Sequence, residues 1–186
     1  LYTAQREFPQ YYPKNGWVEQ DPEELWQSVL NVAREALTVA SDLKLSAKHV
    51  GITNQRETTL VWNKESGQPV YNAIVWQDRR TSGYCSSLSV HENLVQQKTG
   101  LKLDPYFSAS KIRWILDNVE GAAELAANNK LLFGTVDTFL TWRLTNGKVH
   151  ATDVTNASRT SLFNIHSQQW DKELLALFDI PAALLP

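Results

Sequence analysis

Arg56 and Glu57 are adjacent residues of opposite charge that follow a short, mostly apolar run at residues 49–53. If that run is a buried strand, the pair lies at its carboxyl end, where open α/β sheets bind their ligands. Arginine presents a fork of hydrogen-bond donors, and an ionised glutamate presents only acceptors. Together they could bind adjacent hydroxyls of a polyol, because each hydroxyl both donates and accepts. A local ion pair or a solvated turn is the alternative that the residues leave open.

Two aromatic residues could complete such a site. Trp76 ends an apolar run and is followed by polar residues 77–80, so its ring could cover the apolar face of a sugar or polyol. Tyr106 follows Asp104 and Pro105 and leads into a predicted helix, so its hydroxyl could point into a cleft. For both residues the alternative is core packing, with the polar atom satisfied by a protein group.

Three further polar features allow two interpretations each. Lys111 lies on a predicted helix and is either a group that attracts phosphate or a solvated lysine. Asp137 follows a predicted strand and could act in catalysis, although its position also fits capping of the next helix. The polar stretch from Thr152 to Thr160 either borders an active site or forms turns closed by side-chain-to-backbone hydrogen bonds.

Several familiar sites are excluded by the spacing of residues. The eight glycines are never within seven positions of each other, whereas a P-loop and a dinucleotide fingerprint both need closely spaced glycines. The four histidines show no metal-ligand spacing, and the single cysteine, Cys85, allows neither an intramolecular disulfide nor a Cys-cluster zinc site. A G-x-S-x-G nucleophile elbow is also missing.

Composition points to a globular protein. The chain has 186 residues, 42% of them hydrophobic, and a net charge of −2, so no general basic surface for nucleic acid is expected. No apolar run approaches the length of a membrane span, and residues 1–10 do not resemble a signal peptide, so we expect a cytoplasmic protein. The chain begins at Leu1 and contains no methionine, from which we expect it to be part of a longer protein.

Hydrophobic periodicity and turn signals predict alternating strands and helices, which indicates an α/β fold. Asp21-Pro22 is a strong helix start, and Gly100 is a typical helix stop. Residues 1–8 and 49–53 are predicted strands, and residues 58–62 and 70–76 flank a predicted hairpin turn. Further strands are predicted at 131–134 and 161–165, and helices at 21–41, 78–88, 92–98, 108–119, 124–128, 136–144 and 171–178.

Five segments resemble a known enzyme family. GITNQRETT at 51–59 and AIVWQDRR at 73–80 resemble consecutive blocks of glycerol kinases. YFSASKIRWILDN at 106–118 is similar to the first signature of the wider FGGY carbohydrate-kinase family. Residues 133–142 and 155–165 add two more similar segments, and the resemblance extends over residues 5–186.

The resemblance implies a ribonuclease-H-like, actin-like ATPase domain, a mixed sheet flanked by helices, of which this chain is an incomplete part. It implies that Arg56, Glu57 and Tyr106 hydrogen-bond the hydroxyls of glycerol, and that Trp76 contacts its carbon backbone. The implied reaction is transfer of the γ-phosphoryl group of ATP, with Mg²⁺, to glycerol. A kinase of another polyol or sugar, or a non-catalytic polyol-binding module, remains an alternative.

The same resemblance implies what the chain should not contain. Residues 1–186 correspond to part of the N-terminal, substrate-binding domain of the family. The first phosphate-loop hairpin is expected before Leu1, and the catalytic aspartate and C-terminal domain beyond Pro186. We therefore expect no catalytic, cofactor-binding or metal-binding residue in this chain, and no activity from it alone. The intact protein is expected to be a homo-oligomer.

Overall fold

The computed structural model describes residues 2–186, in which helices and short strands are interspersed along the chain. In chain order the elements are β1 (Glu19–Gln20), α1 (Pro22–Asp42), β2 (Leu60–Asn63), β3 (Ala73–Ile74), α2 (Ser82–Ser87), α3 (Glu92–Thr99), α4 (Ser108–Asn118), α5 (Ala122–Ala127), β4 (Leu131–Gly134), α6 (Val136–Leu144), α7 (Val154–Ala157), β5 (Phe163–Asn164), β6 (Gln169–Trp170) and α8 (Lys172–Leu177). Short 3₁₀ turns occupy Ser89–His91 and Ala182–Leu184.

Local sequence signals determine several of these boundaries. The Asp21 carboxylate accepts hydrogen bonds from the backbone N–H groups of Glu23 and Glu24, which satisfies donors that the first turn of α1 leaves unpaired. Gly100 adopts the left-handed conformation with φ of 73° and ends α3. Both predicted boundaries are confirmed. Helix α2 begins later than predicted, because the carboxylate of Asp78 accepts the backbone N–H of Arg80 in a turn before it.

Strand β2 is central to the chain. It pairs antiparallel with β4, from Leu60 opposite Gly134 to Asn63 opposite Leu131. On its other side an isolated bridge joins Thr59 to Ile74 of β3, which in turn pairs antiparallel with β1. The predicted hairpin between β2 and β3 is confirmed, and β5 and β6 form a separate antiparallel pair.

The side chains of β2 alternate between two hydrophobic clusters, as expected for a strand buried on both faces. Val61 packs into a cluster with Ile112 and Ile115 of α4. Leu60 and Trp62 point into a second cluster, which α1 and α6 complete. Burying each large apolar side chain contributes about 1.5–3 kcal/mol, so the two clusters hold α4 and α6 on opposite sides of β2.

Two sequence predictions are wrong in the described residues. Residues 49–53 are not a strand: Val50 is 81% exposed, and no strand within residues 2–186 lies beside this run to pair with it. Residues 2–8 are likewise irregular, and Leu1 lies outside the described residues.

Helix α1 packs through Leu25 and Trp26 near its start, whereas Leu37 on its second half is 54% exposed. No helix within residues 2–186 is long and apolar enough to cross a membrane.

Gly134 at the end of β4 tests the packing of β2 against α6. A Cβ atom there would lie 2.5 Å from the Thr138 Cβ and 3.0 Å from the Trp62 ring, closer than real side chains approach. We expect Gly134→Ala to lower the free energy of unfolding by about 1–3 kcal/mol through overpacking. Gly83→Ala is the control, since its Cβ would meet nothing within 4 Å and Ala favours the helix. Thermal unfolding of the unaltered protein and both variants gives the comparison. If Gly134→Ala were as stable as Gly83→Ala, the packing of β2 against α6 described above would be contradicted.

Candidate functional site

Glu57 lies at the centre of the candidate site and is 2% exposed. Its carboxylate accepts a hydrogen bond from Arg159 Nε at 2.6 Å. Its backbone carbonyl accepts three more, from Thr59 Oγ1 at 3.1 Å, Ser108 Oγ at 3.3 Å and Lys111 Nζ at 3.4 Å. Contacts from three separate parts of the chain therefore hold both the side chain and the backbone of Glu57 in place.

The backbone of Glu57 is itself unusual. Its φ of 65° lies in the left-handed region, which non-glycine residues rarely adopt and which costs on the order of 1 kcal/mol. The hydrogen bonds to its carbonyl offset that cost. Residues held in this region by their surroundings are concentrated at functional sites. The conformation turns the carboxylate of Glu57 toward Arg159 while its carbonyl faces α4.

Tyr106 and Trp76 form an aromatic wall beside Glu57. Their ring centroids are 5.4 Å apart and both side chains are half-buried. The backbone N–H of Tyr106 donates to the Asp104 carboxylate at 2.8 Å, and its carbonyl accepts from Lys111 Nζ at 2.6 Å. The Arg159 guanidinium lies 5.8 Å from the Tyr106 ring centroid. Arg159 therefore contacts both the carboxylate of Glu57 and the aromatic wall.

A buried ion-pair network fixes the turn that follows Trp76. The side chain of Arg80 is 1% exposed and pairs with the carboxylates of Glu19 at 2.7 Å and Asp78 at 2.8 Å. Its guanidinium also stacks on the Trp17 ring, 3.8 Å from the centroid. Breaking a buried pair leaves an uncompensated charge, so this turn has little freedom to move and Trp76 is held near Tyr106.

Arg56 differs from Glu57 although the two are adjacent. It is exposed, and within residues 2–186 its guanidinium has neither a hydrogen-bond nor an ion-pair partner. The alternative of a local ion pair is therefore wrong, because Glu57 pairs with Arg159 instead. The preceding residues are tied down, since the Asn54 amide donates to Asp137 at 3.2 Å and Gln55 donates to Gln20 at 2.5 Å. The other alternative, a solvated turn, fits the exposure of Arg56, which is an unpaired donor next to a fixed acceptor.

Lys111 and Asp137, two other candidates from the sequence, both have hydrogen-bond partners within the protein. Lys111 is 0% exposed, so it is neither a solvated lysine nor a group that attracts phosphate. Asp137 accepts hydrogen bonds from Thr135, Thr152 and Asn54, which ties the segment before Arg56 to the start of α6. These donors are all side chains, so Asp137 is a structural acceptor in the first turn of α6, and the expected capping of that helix is not observed in the described residues.

The polar stretch from Thr152 to Thr160 fits both of its interpretations. Asp153 caps α7 by accepting the backbone N–H of Asn156 at 2.8 Å, and Arg159 reaches Glu57. Sequence reasoning did not single out Arg159, because the ion pair joins residues 102 positions apart. The one signal in the sequence is that Arg159 is a cation within the polar stretch from Thr152 to Thr160, for which the border of an active site is one of the two interpretations. An open cleft of about 530 Å³ is lined by Tyr106 and Arg159, although Arg56, Glu57 and Trp76 are not among its lining residues.

Comparison with known proteins agrees with this architecture. The model of the FGGY family of carbohydrate kinases, N-terminal domain, matches residues 1–186. The chain belongs to the FGGY family. The ribonuclease-H-like, actin-like α/β fold expected from the sequence is confirmed by this family match together with solved structures of similar fold. One of them, a xylulose kinase from Rhodospirillum rubrum, aligns over 97% of this FGGY chain with a TM-score of 0.85 at 21% identity.

Glycerol kinases are prominent among the relatives of this FGGY chain. It is 60% identical over 188 residues to a glycerol kinase of Rhodospirillum centenum and 63% identical over 186 residues to one of Shewanella frigidimarina, covering 100% and 99% of this chain. A crystal structure of Plasmodium falciparum glycerol kinase with ADP aligns over 97% of this chain with a TM-score of 0.92 at 38% identity, and the match covers 37% of that protein. The chain spans 38% and 37% of the two curated relatives.

The buried amine of Lys111 should make stability depend on pH. Burial lowers the pKa of Lys111 from 10.5 to about 7, although the nearby charges of Asp78, Glu57, Cys85 and Asp104 oppose the shift. Between these values the unfolded chain binds a proton that the folded protein does not. The free energy of unfolding therefore rises with pH between about 7 and 10.5, by up to about 1.4 kcal/mol per pH unit. The stability that the neutral amine provides above 10.5 is lost progressively as the pH falls to about 7.

We expect Lys111→Met to remove this contribution. Thermal unfolding of the unaltered protein and the variant from about pH 6 to about pH 9 gives the comparison, since the difference between their slopes isolates the lysine from other titrating groups. Identical slopes would show that the amine keeps its charge in the folded protein.

Proposed function

We propose that a protein carrying this chain is a glycerol kinase, which transfers the γ-phosphoryl group of ATP to glycerol to give glycerol 3-phosphate. The observation that carries the proposal is the fixed acceptor Glu57 beside the unpaired donor Arg56, with the Trp76–Tyr106 wall next to them. The relatives at 60–63% identity are glycerol kinases, which supports glycerol over other polyols.

Each residue has a distinct role under this proposal. The carboxylate of Glu57 still has an oxygen that no described residue uses, and this oxygen can accept a hydrogen bond from a glycerol hydroxyl. The Tyr106 hydroxyl has no partner within residues 2–186, so it is available to donate or accept. Arg56 supplies charged donors, and Trp76 covers the carbon backbone. This mixture of donors, acceptors and one apolar face matches a small polyol.

ATP and Mg²⁺ are proposed to bind elsewhere in a longer protein. Within residues 2–186 no cluster of three or more His, Cys, Asp or Glu side chains could hold a metal ion, and the glycine spacing excludes the familiar phosphate loops. The residues of this chain therefore do not fit either group, and we derive no step through them. We propose that this chain is part of an N-terminal, substrate-binding domain. The phosphate-loop hairpin, the base and a C-terminal domain lie outside it, so the chain alone is inactive.

The wider setting follows from the same proposal. Glycerol and ATP would be the partners of the full-length protein, which we propose to be a cytoplasmic homo-oligomer. The net charge of −2 offers no general attraction for nucleic acid.

Arg56→Ala tests the proposed donor. Hydrogen bonds to charged groups contribute about 1.5–3 kcal/mol, so we expect the KM for glycerol of the full-length protein to rise roughly 10- to 150-fold. Arg34→Ala is the matched control, because Arg34 is an exposed arginine on α1 and should leave the KM unchanged. The measurement is steady-state formation of glycerol phosphate, with other polyols and sugars assayed alongside. A KM within about twofold of the unaltered protein would refute the role of Arg56, and faster turnover of another polyol would refute glycerol.

Trp76→Ala and Glu57→Gln should affect selectivity differently. An apolar wall discriminates poorly, so Trp76→Ala should weaken glycerol and propane-1,2-diol by similar factors. Glu57→Gln removes an acceptor matched to particular hydroxyls, so it should weaken glycerol more than the diol. Competition assays with both alcohols on each variant give the ratio of kcat/KM values. Equal losses on both alcohols for both variants would contradict the assignment.

A further inference from the structure

We propose that Lys111 is a positioning residue that holds the backbones of Glu57 and Tyr106 in one arrangement, so that both side chains contact the same polyol. This inference rests on the proposed function and assigns Lys111 no contact with substrate.

The geometry of Lys111 is specific to these two residues. Its Nζ donates to the Tyr106 carbonyl at 2.6 Å and approaches the Glu57 carbonyl at 3.4 Å. The two carbonyls belong to residues 49 positions apart, one before β2 and one before α4. Within residues 2–186 no carboxylate lies within 4.0 Å of the amine, so Lys111 is not part of an ion pair. Its hydrogen bonds connect the two halves of the candidate site.

Packing alone does not account for an amine at this position. Ile112 and Ile115 of the same helix are 0% exposed and fill the core beside β2. A methionine at position 111 would occupy a similar volume without burying an amine, which is costly in an apolar interior. The contribution of Lys111 to the site must therefore come from its hydrogen bonds to the two carbonyls.

The position of the Glu57 carbonyl governs the side chain. Glu57 has a left-handed backbone, and its carbonyl depends on donors from α4 and from Thr59. Losing the Lys111 donor would let the turn relax and move the carboxylate relative to Tyr106. Misplacement of binding groups by about 1 Å is enough to reduce activity strongly. Since both residues are proposed to contact glycerol, the effect should fall on glycerol and spare ATP.

The experiment uses the full-length protein with two neutral replacements of similar size. Lys111→Met removes the donors, whereas Lys111→Gln keeps an N–H₂ donor on a side chain of similar length. Ile112→Val is the control, since it destabilises the same helix without touching either carbonyl. We expect Lys111→Met to raise the glycerol KM about tenfold with the ATP KM unchanged. We expect Lys111→Gln to recover part of this loss and Ile112→Val to leave both KM values unchanged.

The outcomes separate this inference from the proposed function. If the unaltered protein does not phosphorylate glycerol, the proposed function fails and this inference fails with it. If it does, and Lys111→Met either leaves the glycerol KM unchanged or raises the glycerol and ATP KM values alike, the inference alone is overturned. Should Lys111→Met not fold, the glycerol and ATP KM values of Lys111→Gln and Ser108→Ala test the inference instead. Ser108→Ala removes another donor to the Glu57 carbonyl and should raise only the glycerol KM.

Discussion

The backbone carbonyl of Glu57 must be satisfied inside the protein, and the arrangement of the candidate site depends on how this is achieved. An unsatisfied buried acceptor costs about 1–3 kcal/mol, and here the donors come from Thr59 at the start of β2 and from Ser108 and Lys111 at the start of α4. The first turn of α4 must therefore lie against the start of β2. Tyr106 lies two residues before that turn, so its distance from Glu57 is set by the same hydrogen bonds.

The hydrophobic clusters make this arrangement rigid. Because β2 is buried on both faces, neither α4 nor α6 can shift without exposing apolar surface. The buried guanidinium of Arg80 does the same for the turn after Trp76, through its pairs with Glu19 and Asp78. Close packing thus fixes α4 and α6, whereas the buried charges fix the turn after Trp76. Their combined effect is that contacts within the protein hold Glu57, Tyr106 and Trp76 in one arrangement, which would lower the ordering cost of binding at the proposed site.

Local signals in the sequence predicted the start of α1, the stop at Gly100 and the β2–β3 hairpin, because each depends on residues close in the chain. The resemblance to a family supplied the site residues, which physical reasoning alone left undecided. The ion pair of Glu57 with Arg159 and the burial of Lys111 could not be read locally, since both depend on distant segments. The strand predicted at residues 49–53 is wrong for a related reason. Apolar composition indicates that a segment can pair as a strand, but it does not show that a neighbouring strand is present to pair with it.

The contrast between Arg56 and Glu57 indicates how affinity and selectivity are divided in the proposed site. Arg56 is exposed and unpaired within the described residues, so it loses up to about 2 kcal/mol of side-chain entropy when a ligand orders it. Glu57 loses almost none, because Arg159 already holds its carboxylate. A flexible donor can follow a hydroxyl that is slightly displaced, whereas a fixed acceptor cannot. Under the proposed function, Arg56 is therefore expected mainly to increase affinity for hydroxylated ligands in general. The rigid geometry of Glu57 and Tyr106 is expected to discriminate among their hydroxyl patterns.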